Sequence, residues 1–162
     1  MTALRFTLSL FCLVTAGCAG YGPGALKPGA SVTDATQAMG APTGRYPLAG
    51  GGERLEFARG PMGLHTYMLD FDAQGRLQKT DQVLNEAHFN TIPTGIAREE
   101  VLKELGRPSV VSHIQWQKRQ LWSYRYDSVF CQWFQVSLDT QNKVVDTGYA
   151  PDPRCEVYDP AP

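Results

Sequence analysis

The 162 residues carry 15 Lys and Arg against 16 Asp and Glu, a net charge of −1, which excludes both the basic footprint of a nucleic-acid binder and an acidic tail. At 43% hydrophobic and 19% charged, the composition is that of a globular chain able to form one domain, or two small units sharing a core. No apolar run reaches the roughly 18–20 residues that cross a bilayer as a helix.

The N-terminus reads as an address. Arg5 precedes an apolar run over residues 6–14, followed by the small residues Thr15, Ala16 and Gly17. That is the charged, apolar and small-residue order of an export signal. With the next residue, the string Val14-Thr15-Ala16-Gly17-Cys18 resembles a bacterial lipobox, with Thr15 where Leu is usual. The resemblance implies cleavage after residue 17, a 1–17 signal peptide, acyl groups such as palmitate on Cys18, and a linker over 18–27. Ala19 in place of Asp implies retention at the outer membrane, with the chain facing the periplasm. The other reading is an ordinary signal peptide cut near Gly20, with Cys18 lost.

From residue 28 the chain repeats itself. Gly29 and Gly95, Gly40 and Gly106, and Pro42 and Pro108 are each 66 positions apart. Phe71-Asp72 matches Leu138-Asp139, Gly75 matches Asn142, Leu77 matches Val144 and Thr80 matches Thr147, all at 67. A one-residue insertion reconciles the two offsets. Agreement at both ends of two segments marks a duplicated unit, 28–84 and 85–149, with a tail over 150–162.

Each unit opens with a predicted helix, 31–39 and 97–105. Ser31 supplies a side-chain cap with Asp34 three residues on, and the stripe Val32, Ala35 and Met39 faces inward. In the second copy Ala97 is a poor cap that Thr94 could replace. Glu99 and Glu100 still put negative charge in the first turn, and Val101, Leu102 and Leu105 form the stripe. Gly40 and Gly106 end the helices, and Pro42 and Pro108 prevent continuation.

Strands follow. Alternation predicts 55–58, 64–71 and 77–83 in the first copy, with a flexible hairpin tip at Gly50-Gly51-Gly52. In the second copy it predicts 110–115, 120–126, 130–138 and 144–148, with turns at 117–119, 127–128 and 139–143. A helix leading into an antiparallel meander, twice, predicts an α+β fold of two tandem repeats with helices on one face of a sheet.

The segment 95–108, ending Leu105-Gly106-Arg107-Pro108, followed by Leu121-Trp122-Ser123-Tyr124, resembles the BamE (SmpA/OmlA) lipoprotein domain. The first copy keeps Gly29, Gly40 and Pro42, but Leu55-Glu56-Phe57 replaces the Trp-Xaa-Tyr strand. The tandem arrangement is similar to β-lactamase inhibitory protein, whose repeats share one continuous sheet. The first resemblance implies an accessory lipoprotein of the outer-membrane β-barrel assembly machinery, acting by contact with protein and lipid. The second implies a periplasmic inhibitor or enzyme-binding module. Neither implies a cofactor, a metal, a nucleic acid or a small-molecule substrate.

The remaining chemistry is sparse. Cys131 and Cys155 are the only cysteines outside the signal and the proposed anchor, to be read as a disulfide in an oxidising compartment or as two free thiols. His65, His88 and His113 lack metal-ligand spacing. There is no Gly-Xaa-Ser-Xaa-Gly elbow, and no His near Cys131 or Cys155 to activate a thiol, so the sequence points away from an enzyme. Among Trp116, Trp122, Tyr124, Tyr126, Phe130, Trp133 and Phe134, about two thirds are expected in the core, since such side chains bury large areas. Trp116 with Lys118 and Arg119, at a hairpin tip, is the candidate partner-binding anchor. Trp133, on the face opposite Phe134, is a second candidate.

Overall fold

The computed structural model describes residues 22–24 and 26–155. The first unit runs α1 (Val32–Met39), β1 (Gly44–Pro47), β2 (Glu53–Ala58), β3 (Thr66–Phe71) and β4 (Leu77–Gln82). A short α2 (Glu86–Phe89) links it to the second unit: α3 (Arg98–Leu105), β5 (Val110–Ile114), β6 (Arg119–Arg125), β7 (Gln132–Leu138) and β8 (Val144–Pro151). The strands hydrogen-bond as two antiparallel four-stranded sheets, β1-β2-β3-β4 and β5-β6-β7-β8. The fold is α+β, and both sheets are simple meanders.

The duplication holds down to single hydrogen bonds. Gly29 and Gly95 share a φ of 88°, and their N–H groups donate to Leu77 O (2.8 Å) and Val144 O (2.7 Å). Isolated bridges pair Ser31 with Arg76 and Ala97 with Lys143, so each helix starts on the last strand of its own sheet. At the β3–β4 turn Asp72 Oδ1 accepts from the N–H groups of Gln74 and Arg76, and at the β7–β8 turn Asp139 Oδ1 accepts from those of Gln141 and Lys143. Both registers slip at the strand end before these turns, at Asp70/Phe71 and at Ser137/Leu138. The slip sits at the same place in each copy.

Helix α1 is closed by a full capping box, Asp34 N–H donating to Ser31 Oγ (3.1 Å) and Ser31 N–H to Asp34 Oδ2 (2.8 Å). Ala97 offers no such cap; its neighbour Arg98 instead donates its N–H to Asn142 O at 2.8 Å. Thr94 makes no substitute bond among the described residues. Several elements differ from the sequence expectation: β2 begins at Glu53 rather than at residue 55, β3 at Thr66 rather than 64, and β8 runs to Pro151 rather than 148. β1 and α2 are additions, both too short to show a period, and β7 begins at Gln132 rather than at residue 130. Cys131, with φ 49°, turns the chain there and leaves Phe130 in the hairpin loop.

Two cores result. Ala35 and Met39 of α1 pack on Leu55, Phe57, Leu69, Phe71 and Leu77, all on one face of the first sheet. Val101 and Leu105 of α3 pack on Trp122, Tyr124, Phe134, Val136, Leu138 and Val144 of the second sheet. This second core also takes in Met68, Val83 and Leu84, with Tyr46 against its edge. Met68 points to the opposite face of β3 from Leu69, so the first sheet is covered on both sides. The layers therefore stack as α1, first sheet, α2 with α3, second sheet. Phe89 of α2 fills the middle layer, stacked on Phe134 at 4.4 Å and edge-on to Tyr126 at 5.0 Å.

Candidate functional site

Four features could carry function: a buried polar junction between the units, a hairpin tip bearing Trp116, the outer face of the second sheet, and the end where Cys131 lies.

The junction centres on Glu56 of β2, which is fully buried. One carboxylate oxygen accepts from Thr43 Oγ1 (2.9 Å) and from the Arg107 N–H (3.3 Å). The other accepts from Tyr46 Oη at 2.6 Å. Burial, then the bond to Glu56, push the Tyr46 phenol above its ordinary range, so it remains a donor. Beside it Arg54 bonds both oxygens of Asp70 (2.7 and 3.0 Å) and donates to Lys103 O at the end of α3 (3.0 Å). A pocket of about 260 Å³ opens here, lined by Glu56, Thr66, Leu84, Arg107 and Ser109 among others. With each Glu56 oxygen already engaged, these groups join the first sheet to α3.

The β5–β6 connection places Trp116, Lys118 and Arg119 together. Residues Gln115–Gln117 form one 3-10 turn, and Lys118 takes a left-handed conformation (φ 52°) that reverses the chain. Trp116 is left 82% exposed. Next to it lies a shallow pocket of about 330 Å³ lined by His113, Lys118, Arg119, Gln120, Asp139 and Asn142. An exposed indole followed closely in the chain by two cations has the composition of a protein-binding anchor. The equivalent loop of the first unit, with Gly50 and Gly51, presents no side chain of that size.

Trp133 is not brought to this site. It lies on the outer face of β7, paired with Arg125 and Ala150 at the opposite end of the sheet. The guanidinium of Arg125 covers its ring at 5.2 Å, and its buried Nε1 has no hydrogen-bond partner among the described residues. Arg125 in turn bonds Asp152 at 2.7 Å and donates to Pro61 O at 3.0 Å, pinning the β2–β3 loop to the tail. Burial alone would raise the Asp152 carboxyl; bonds from Arg125 and from the Arg154 N–H, with both guanidinium charges, outweigh it and hold the group below 3.8. Cys131 and Cys155 form a disulfide across the same end, with Cα atoms 6.3 Å apart. Periodicity alone did not reveal that Val129 and Phe130, in this loop, are 93% and 75% exposed.

Cys18 and the export signal lie outside the described residues. Among the described residues, no His, Cys, Asp and Glu group has the arrangement of a metal site, and no helix is long and apolar enough to cross a membrane. His88 ties α2 to β4 through Asp81 Oδ2 (3.1 Å) and Asn85 (3.0 Å).

No family model and no curated protein matches this chain. Solved structures resemble it distantly. A cysteine-rich secretory protein of Staphylococcus aureus shares 13% identity over 78% of this chain, which spans only 44% of that protein, with a TM-score of 0.30. A DUF4309 family protein of Bacillus subtilis shares 12% over 75% of this chain and 78% of its own, also at 0.30. A candidate β-lactamase inhibitor protein of Streptococcus mutans shares 10% over 80% of this chain and 87% of its own, at 0.34. At such scores none of these likenesses decides what the chain does.

Proposed function

We propose that this protein is a non-catalytic envelope lipoprotein, anchored through Cys18 in the outer membrane and facing the periplasm, where it binds a protein partner. The observation that carries the binding role is Trp116, exposed at the tip of a fixed turn that continues into Lys118 and Arg119. An indole held by a short turn loses little entropy on docking, and the adjacent cations suit an acidic rim on the partner. The buried polar groups support the same role, since Glu56, Arg54 and Arg125 are each bonded within the fold. The lipobox-like string and the BamE-like segment give the finer reading, a partner in outer-membrane β-barrel assembly.

A photo-cross-linker replacing Trp116 in the full chain tests this. The expected product is one discrete adduct containing a barrel-assembly component, and Trp116→Ala together with Lys118→Glu should lower affinity by about 2 kcal/mol or more. A cross-link to a periplasmic enzyme, unaffected by Cys18→Ala, would favour the second reading, an inhibitor-type module. The duplicated helix-and-meander body supports that alternative. Absence of any adduct at position 116 would overturn both.

A further inference from the structure

Two hairpin loops meet at the end of the molecule opposite Trp116. Arg125 of β6 donates to Pro61 O of the β2–β3 loop, and Arg154 Nη1 reaches Met62 Sδ at 3.8 Å, so this loop stands beside the β6–β7 loop and the disulfide. Seven large apolar side chains are exposed among the described residues, and four of them sit here: Met62, Leu64, Val129 and Phe130. Val129 and Phe130 project from a turn whose geometry is set by Ser128, Cys131 and the bridge to Cys155. Both are strongly exposed, at 93% and 75%.

The path of the N-terminal segment gives this end its meaning. Gly22 lies against the Tyr67 ring, where an added Cβ would stand 3.3 Å from the hydroxyl oxygen. Tyr67 pairs with Phe57 and Gln82, one residue pair from the β2–β3 loop. By Gly29 the chain has reached Leu77, at the other end of the sheet. It therefore enters the fold from the loop end. Cys18 stands four positions before Gly22, and four residues reach at most about 14 Å. A lipid on Cys18 would hold the bilayer next to these apolar tips and away from Trp116.

We propose that Val129, Phe130 and Met62 seat in the bilayer that carries the anchor, giving the protein a second, non-covalent membrane contact. This rests on lipidation of Cys18. The occupant is a phospholipid surface: isolated protruding apolar tips need no complementary pocket in a fluid interface, and Arg154, whose guanidinium lies beside Met62, stands there to meet phosphate headgroups. The contact fixes orientation, so that the Trp116 tip points into the periplasm at the full height of the domain.

The test uses the full chain, extracted from membranes, its mature mass measured, and reconstituted in phosphatidylethanolamine–phosphatidylglycerol vesicles with or without bromine on the acyl chains. Phe130→Trp adds an indole at an exposed position, and the parent protein supplies the background from its three tryptophans. A side chain seated ~5–10 Å into the interface should emit at shorter wavelength and be quenched severalfold by brominated lipid. Adding Val129→Asp should reverse both effects, whereas Trp116 emission should be indifferent to bromine. An acylated protein whose added indole emits as in water overturns the membrane contact and leaves the anchor standing. A mature mass without acyl groups overturns the anchor reading and this inference together.

Discussion

The two units share a backbone plan yet place different chemistry at the same pleat position. Glu56 and Ser123 are equivalent, each on the outer face of the second strand of its sheet, opposite Gly44 and Val110. Glu56 is covered by the start of the second unit and gathers Thr43, Tyr46 and the Arg107 N–H. Ser123 is also buried, at 1% exposed, but accepts a single bond, from Gln135 of its own sheet (3.0 Å). One position has become an internal joint that draws partners from both units; its twin is satisfied within its own sheet. Duplication supplied two equal scaffolds, and stacking made them unequal.

That asymmetry can be broken most severely at α2, which has no twin among the described residues. Phe89→Ala should cost about 3–5 kcal/mol in urea unfolding, because it empties the aromatic stack between the two sheets. A cost below about 1 kcal/mol would mean that the middle layer is not a shared core. Next comes the joint itself. Glu56→Ala removes the acceptor of three part-buried hydrogen bonds, from Thr43, Tyr46 and the Arg107 N–H, and should cost about 3 kcal/mol, against about 1 for Ser123→Ala at the equivalent position; equal costs would refute the distinction.

The loop ends offer a comparable contrast, since only the second unit has a disulfide there. Replacing Cys131 and Cys155 with Ser removes a 24-residue closure and should cost about 3 kcal/mol by calorimetry. Asp152 adds a pH-dependent share. Its folded carboxyl lies below 3.8, so this stabilisation is present above that value and disappears as pH falls through the lower folded value. Asp152→Asn should flatten the acid limb of the stability–pH curve. An unchanged limb would show that the Arg125 pair contributes nothing to it.

The smallest effect tests whether the copies remain interchangeable locally. Ala97 has the same extended backbone (φ −73°, ψ 152°) as Ser31 (φ −82°, ψ 164°), and Glu100 stands where Asp34 completes the box. Ala97→Ser should therefore stabilise by about 0.5–1 kcal/mol, and Ser31→Ala should cost about as much. A destabilising Ala97→Ser would mean that the bridge to Lys143 has fixed that backbone for alanine.

The duplication, both main helices with their glycine ends, seven of the eight strands and the exposed tip at Trp116 were legible in the sequence. Each rests on local signals that act within a few residues: alternation, a cap, a left-handed glycine, an Asp-led turn. Alternation also separated Phe134 from Trp133 correctly, but it says only that a side chain faces outward. What then covers it is a matter of distant chain. Trp133 is capped by Arg125, Glu56 is buried by a segment some fifty residues later, and Val129 and Phe130 stay bare because Cys131 turns the strand early. The sequence by itself determined two helix-and-meander units; only the tertiary structure decided that they stack, because burying the outer face of one sheet requires contacts that no local period encodes.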